Sequence, residues 1–194
     1  MISPLHVVVG HDFGHSGRAA LHRAAALAAR APWHVLHVVC AIDPRRPIPS
    51  IPSYDGVDYR YAARVQEALA FEIQEELEAL EVSGRVSFFV YARIDDKPAR
   101  VILALAHEIG ADLVIVGSHG HTGVERLLLG STSEKVVREA RCSVEVARSK
   151  RYPFVELERV VEVAPDHAHP YVPPHRYEYQ DRRVNLRPLD WPLY

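Results

Sequence analysis

Short apolar runs alternate along the first 150 residues with longer segments in which apolar positions recur every three or four residues. The short runs are rich in Val and Ile and predict β-strands. They lie at residues 5–10, 33–40, 86–92, 111–116 and 143–147. The longer segments predict amphipathic α-helices. They lie at residues 16–30, 59–81, 98–109 and 131–140. Because the strands do not alternate cleanly between apolar and polar positions, we expect a sheet that is buried on both faces.

The alternation of strands and helices predicts the fold class. Connections of this length favour parallel strands joined by right-handed crossovers, with helices on both faces. We therefore expect a three-layer α/β/α sandwich around a five-stranded parallel sheet. Such open sheets bind ligands beyond the carboxyl ends of the strands, where the strand order reverses. Two polar, glycine-containing turns follow predicted strands, at residues 10–12 and 117–130. The loop 43–58, with its four prolines, is long enough to suggest a role of its own.

Capping residues mark several helix ends. Ser16 is an expected N-cap of the first helix, and Gly110 is an expected C-cap of the third. Ser131 and Glu134 have the spacing of a capping box at the start of the last helix.

The composition changes at about residue 150. Residues 150–194 hold seven of the fourteen prolines and five of the nine tyrosines. We therefore divide the chain into a domain at residues 1–149 and a C-terminal extension at 150–194. Residues 154–163 favour one more strand. The aromatic content predicts that the extension docks on the domain or on a partner subunit.

Charge, hydrophobicity and cysteine content argue against several classes of partner. The formal net charge is −2, and acidic residues cluster in the second helix, so nucleic acid is not an expected partner. No stretch approaches the roughly 20 apolar residues of a membrane span, and no signal peptide is evident. The two cysteines, Cys40 and Cys142, have no metal-ligand spacing. We expect a cytoplasmic protein with reduced thiols and no membrane partner.

The most informative segment is Gly117-Ser-His-Gly120, followed after nine residues by Gly130-Ser131. Glycines at these points let phosphate oxygens approach the backbone N–H groups, and the following helix N-terminus is a favourable phosphate site. Ser131, Thr132 and Ser133 add hydroxyl donors. The loop lacks the Gly-Lys-Ser/Thr sequence of a Walker A motif.

This Gly-x2-Gly-x9-Gly-Ser pattern, with its flanking residues, resembles the signature of ATP-binding universal stress proteins over about residues 4–148. The resemblance implies a strand order of 3-2-1-4-5 in an adenine-nucleotide alpha-hydrolase-like fold. It implies that Asp12 lies by the ribose and adenine, and that Val38 borders the adenine. The phosphate-binding residues that it implies are Gly117, Gly120, Gly130, Ser131 and Thr132. It also implies a homodimer formed through the fifth strand.

One position departs from that pattern. Many family members have Arg or Lys after the second glycine, where this chain has His121, which we also count among the nucleotide-binding residues. A neutral histidine compensates phosphate charge less well than arginine. We therefore hypothesise that ATP affinity rises as the pH falls below about 6.5, the reference pKa of histidine. Arg126, in the same loop, is an alternative source of positive charge.

Several interpretations remain open at the level of sequence. Asp12 also suits a turn or helix cap, Val38 also suits plain strand core, and His119 and His121 suit either acid catalysis or simple loop polarity. We expect an ATP-binding regulator of the stress response, with Mg²⁺ beside the triphosphate and at most slow hydrolysis. The main alternative is a nucleotide-free dimeric interaction module whose tail carries the function. A third is an enzyme that uses the same pocket, although we identify no nucleophile paired with a base.

Overall fold

The computed structural model describes residues 4–30, 33–53, 55–82, 84, 86–118 and 129–149, together with two residue pairs at 179–180 and 183–184. The chain separates into two compact units, Met1–Lys150 and Arg151–Tyr194.

The first unit contains a five-stranded parallel sheet in the order β3-β2-β1-β4-β5. This confirms the predicted architecture and strand order. The strands are β1 (Leu5–Gly10), β2 (His34–Ile42), β3 (Ser87–Ile94), β4 (Leu113–Gly117) and β5 (Ser143–Ala147). In the centre of the sheet, Val9 of β1 pairs with Val38 of β2 on one side and with Ile115 of β4 on the other. The strand order reverses between β1 and β4, as in other doubly wound sheets.

Helices cover both faces of this sheet. They are α1 (His15–Arg30), α2 (Tyr59–Ala79), α3 (Pro98–Ile109) and α4 (Ser131–Glu139). Alanine and leucine side chains of α1 and α2 pack with Val7, Val9 and Leu36 into one buried cluster. Residues of α3 and α4 pack with Val8 and Val39 into a second cluster on the opposite face. The adjacent positions Val7, Val8 and Val9 are therefore all buried, which explains why β1 does not alternate.

The helix ends correct two of the sequence-based expectations. Helix α1 begins at His15, so Ser16 lies inside its first turn and is not the N-cap. Gly130 is the N-cap of α4, and the predicted capping box at Ser131 is wrong, because Ser131 is already the first helical residue. The prediction for α3 is confirmed, since Gly110 ends the helix in the left-handed conformation at φ 63° and ψ 49°.

In the second unit, Tyr179–Gln180 and Arg183–Val184 pair as short antiparallel strands, β6 and β7. The strand expected at residues 154–163 lies outside the described residues. Docking of the extension stays a prediction. None of the helices in the described part of the chain is both long and apolar enough to cross a membrane.

Candidate functional site

A cavity of about 540 Å³ opens at the carboxyl ends of β1, β2 and β4. It lies at the point where the strand order reverses, which is where ligands bind in open α/β sheets. Its described walls come mainly from the turn after β1, the end of β2 with the loop that follows it, the end of β4 and the start of α4. The lining residues are at positions 10–12, 17, 40–41, 43, 46–49, 98, 102, 116–117 and 130–133.

The N-terminus of α4 forms one wall. Gly130 has an extended backbone at φ −63° and ψ 152°, and among the described residues no side chain caps the helix. The first N–H groups of an α-helix have no intrahelical acceptor, and the helix dipole places partial positive charge there. Ser131, Thr132 and Ser133 line the cavity beside these groups. This wall is therefore suited to an anion.

Hydrogen bonds join the two ends of the loop that connects β4 to α4. The backbone N–H of Gly130 donates to the carbonyl oxygen of Ser118 at 2.9 Å. The hydroxyl of Ser133, which is buried, donates to the carbonyl oxygen of Gly130 at 2.9 Å and to that of Ser118 at 3.3 Å. The start of α4 is thereby fixed against the end of β4, which positions the anion-binding wall.

The turn after β1 forms a second wall. The Asp12 carboxylate accepts a hydrogen bond from the N–H of Gly14 at 3.0 Å, which is an Asx turn leading into α1. Phe13 adopts a left-handed backbone at φ 59° within this turn. Asp12 therefore has a local structural role, and it also lines the cavity. These two roles are compatible, because one carboxylate has several acceptor sites.

His11 lies buried beneath this turn. Its Nδ1 accepts a hydrogen bond from the N–H of Phe13 at 3.2 Å, which places the proton of the neutral ring on Nε2. Among the described residues, Nε2 has no hydrogen-bond partner and lies 3.7 Å from an oxygen of Glu72. Burial lowers the pKa of His11, although Glu72 and Asp12 act in the opposite direction. The ring is therefore neutral at neutral pH.

The thiol of Cys40 also lines the cavity. It is 1% exposed, and burial raises its pKa to about 12, with further contributions from Asp12 and Glu72. The side chain is thus a neutral, compact apolar group on the cavity floor, with little thiolate to act as a nucleophile.

The proline-rich loop after β2 supplies a third wall through Arg46, Pro47, Ile48 and Pro49. Its conformation depends on the buried phenol of Tyr61. The Tyr61 hydroxyl accepts from the N–H of Ile48 at 2.7 Å and donates to the carbonyl oxygen of Ile51 at 3.0 Å. Ile48 itself packs into the core cluster beneath the loop. The loop is therefore fixed in place over the cavity.

The model of the universal stress protein family matches residues 5–148. This chain belongs to the universal stress protein family. It is 31% identical over 155 residues to a putative universal stress protein of Staphylococcus aureus strain USA300, an alignment that covers 79% of this chain and 89% of that protein.

Solved structures of universal stress proteins share the fold. The UspA protein of Lactobacillus plantarum matches with a TM-score of 0.55 at 22% identity, over 76% of this chain and all of that one (100%). A universal stress protein crystallised in complex with cAMP matches with a TM-score of 0.53 at 23% identity, over 76% of this chain and 98% of that one. The sheet and its helices therefore have the fold of these universal stress proteins.

The structure of this universal stress protein brings most of the described candidate residues to one cavity. Its lining includes Asp12, Gly117, Gly130, Ser131 and Thr132. Val38 is fully buried within the core, and the cavity wall on that strand is formed by Cys40 and Ala41 instead. The predicted contact of Val38 with adenine stays a prediction. Gly120 and His121 lie outside the described residues.

His11 and Arg46 are among the cavity residues that the sequence did not predict. His11 stood beside Asp12 in a turn that was recognised, but its burial depends on α2, which is distant in sequence. Arg46 lay in the proline-rich loop, whose length was the only signal of a role. The run Asp43-Pro-Arg-Arg is typical of a type I turn, and recognising it would have indicated a fixed position for Arg46.

Proposed function

We propose that this chain binds an adenine nucleotide in the cavity, with ATP as the main ligand, and acts as a nucleotide-dependent regulator of the stress response. The observation that supports this most directly is the meeting of two unlike walls in one cavity. The N-terminus of α4 offers N–H groups and hydroxyls, while the turn after β1 offers the Asp12 carboxylate. The complex of a related structure with cAMP also favours a nucleotide of the adenine class.

The two walls suit different parts of the ligand. A carboxylate accepts hydrogen bonds from hydroxyls and repels phosphate, so Asp12 suits the ribose. A helix N-terminus attracts phosphate, so residues 130–133 suit the phosphate chain. Mg²⁺ would accompany a triphosphate and be held mainly by phosphate oxygens and water. The adenosine is then expected between these points, against the floor that Cys40 and Ala41 form.

Regulation requires that the nucleotide bind one state of the protein better than another. We propose that the dimer and the C-terminal extension are the parts whose state depends on ATP, because the proline-rich loop is anchored by Tyr61. Homodimerisation through β5 and a location in the cytoplasm belong to the same proposal.

The test begins with mass spectrometry of any nucleotide that co-purifies. Calorimetric titration of the stripped protein with Mg-ATP, Mg-ADP and AMP follows. The variant Asp12→Ala is expected to weaken ATP binding about tenfold or more, because a hydrogen bond to a charged group contributes about 1.5–3 kcal/mol.

Asp58→Ala is the matched control. Asp58 also satisfies a local backbone N–H, that of Tyr61 at 2.9 Å, but as the N-cap of α2 it does not line the cavity. Equal losses of affinity in both variants would attribute the effect to stability and count against the site. Absence of binding to all three nucleotides would overturn the proposal and favour the nucleotide-free interaction module.

A further inference from the structure

The charges that line the cavity are unevenly placed. Among the described lining residues, Asp12 and Asp43 carry negative charge, and Arg46 is the only lysine or arginine. His11 and Cys40 are neutral at neutral pH for the reasons given above. A triphosphate in this part of the cavity would therefore lie near two carboxylates and a single cationic side chain. The position of that side chain is important for phosphate binding.

The backbone at Arg46 is fixed by a tight turn. The N–H of Arg46 donates to the carbonyl oxygen of Asp43 at 3.1 Å, with Pro44 at the second position of the turn. The Asp43 carboxylate also accepts a hydrogen bond from the N–H of Arg45 at 2.8 Å, which stabilises the same turn. Pro47 follows and restricts Arg46 to extended conformations.

Fixed points also lie on both sides of this turn. Strand β2 ends at Ile42, immediately before Asp43. Two residues beyond Arg46, Ile48 is buried, and its N–H is bound by the Tyr61 hydroxyl at 2.7 Å. The segment that carries Arg46 is short, and its backbone is already fixed at both ends. Little backbone freedom is therefore lost when the Arg46 guanidinium binds a ligand.

The neighbouring arginine, Arg45, already forms ion pairs with two carboxylates. Arg45 contacts Asp43 through Nε at 3.3 Å and Asp96 through Nη2 at 3.2 Å, and it does not line the cavity. This pairing also compensates the charge of Asp43, whose pKa is lowered chiefly by its hydrogen bond with the backbone of Arg45. Arg46 has no ion pair among the described residues and lines the cavity with the N-terminus of α4.

We propose that Arg46 is the residue that selects nucleotides by the number of their phosphates, by contacting the outer phosphates while the α4 N-terminus contacts the same chain from its own wall. This inference rests on the proposed function and adds a specificity-determining residue to it. A guanidinium binds phosphate with paired N–H donors and stays charged throughout the physiological pH range. Arg46 thereby supplies a positive charge to a site whose sequence pattern has His121 in place of Arg or Lys.

The test compares Arg46→Gln with Arg45→Gln in the full-length protein. Each variant removes one exposed guanidinium from the same turn and keeps the backbone hydrogen bonds. Titration calorimetry with Mg-ATP, Mg-ADP, AMP and adenosine is expected to show about a tenfold or greater loss of ATP affinity in Arg46→Gln, a smaller loss for ADP, and little change for adenosine. Arg45→Gln is expected to lose much less ATP affinity than Arg46→Gln, because Arg45 does not line the cavity and the variant removes only its ion pairs with nearby carboxylates. Arg46→Lys should recover part of the ATP affinity, because it restores the charge without the paired donors.

The outcomes separate this inference from the proposed function. If the unmodified protein binds no nucleotide, the proposed function itself fails. If it binds ATP and the two arginine variants show equal affinities, Arg46 is not the selecting residue. If Arg46→Gln weakens adenosine as much as ATP, the guanidinium contacts the base or the ribose, and selection by phosphate number is overturned. Thermal melts of both variants identify any loss due to unfolding.

Discussion

Gly117 and Ser16 lie in direct contact where β4 ends against the first turn of α1. A Cβ atom built on Gly117 would lie 2.4 Å from the carbonyl oxygen of Ser16 and 2.5 Å from its Cβ. Real Cβ atoms do not approach other heavy atoms so closely, and a backbone carbonyl in a helix cannot easily move. The glycine at this position is therefore required by the packing of α1, whether or not a ligand is bound.

We predict that Gly117→Ala lowers the free energy of unfolding by about 2–3 kcal/mol, as expected for overpacking against a rigid neighbour. Urea denaturation followed by circular dichroism provides the measurement. Gly130→Ala is the matched control, because its backbone at φ −63° and ψ 152° is accessible to any residue. Its unfolding free energy is expected to change by less than about 1 kcal/mol. Equal stabilities of the two variants would contradict this account of Gly117.

The same contact shows how far the sequence could lead. The positions of Gly117 and Gly130 correctly indicated the end of one strand and the start of the last helix. The sequence explained Gly117 only by the approach of phosphate to the backbone. It could not show the contact with Ser16 of α1, which lies about a hundred positions earlier. Contacts between distant segments leave no local pattern, and the buried position of His11 against Glu72 was missed for the same reason.

The strand order illustrates a related limit. Hydrophobic runs predicted five strands, and alternation with helices predicted that they are parallel. The order 3-2-1-4-5 came from family resemblance, because several orders satisfy the same alternation. Strand ends were also approximate, since β2 continues to Ile42 and β3 to Ile94, each two residues beyond the predicted end. Val38 lies on the predicted strand with its side chain in the core, and its contact with adenine stays a prediction.

The phenol of Tyr61 holds the proline-rich loop over the cavity, which gives a second prediction. Tyr61→Phe removes the acceptor for the N–H of Ile48 and the donor for the carbonyl oxygen of Ile51. Leaving such groups without partners costs about 1–3 kcal/mol, and we expect a loss of stability of that size. Because Arg46 lies on this loop, ATP affinity should fall as well.

Chemical denaturation and calorimetry of Tyr61→Phe measure the two effects. Tyr59→Phe serves as the control, since Tyr59 is 73% exposed and its hydroxyl contacts only the guanidinium of Arg60 among the described residues. A stability loss in Tyr61→Phe without any change in ATP affinity would mean that the loop keeps its ligand contacts without this anchor.

The hydroxyl of Ser133 joins the two ends of the β4–α4 loop, and its removal leads to a third prediction. Ser133→Ala deletes the hydrogen bonds to the carbonyl oxygens of Gly130 and Ser118. We expect a loss of about 1 kcal/mol in unfolding free energy and a weaker affinity for ATP. The exposed Ser143 on β5 offers a control in Ser143→Ala. Unchanged ATP binding in Ser133→Ala would show that the start of α4 is positioned without this hydroxyl.

The buried, neutral imidazoles of His11 and His37 predict how stability depends on pH. Burial is the largest cause of the lowered pKa in both, and the neighbouring His6 adds to the effect at His37. His37 is held at Nε2 by Nδ1 of His6 at 3.0 Å and at Nδ1 by the hydroxyl of Tyr91 at 3.0 Å. A proton added to His11 at Nδ1 would displace the hydrogen bond from the N–H of Phe13, and a protonated His37 would have to donate to both of its partners.

The sign of the dependence follows from linkage. In the unfolded chain these histidines titrate near the reference pKa of about 6.5, and in the folded protein they titrate at lower pH. Between these values the unfolded state binds more protons, so stability is fully present above about pH 6.5 and is lost as the pH falls through the folded pKa. Thermal melting between pH 8 and pH 5 should show this decline. His11→Asn keeps an acceptor for the N–H of Phe13 but cannot be protonated, so its melting temperature should decline less steeply than that of the unmodified protein. Parallel declines in the two proteins would exclude His11 as a source of the pH dependence.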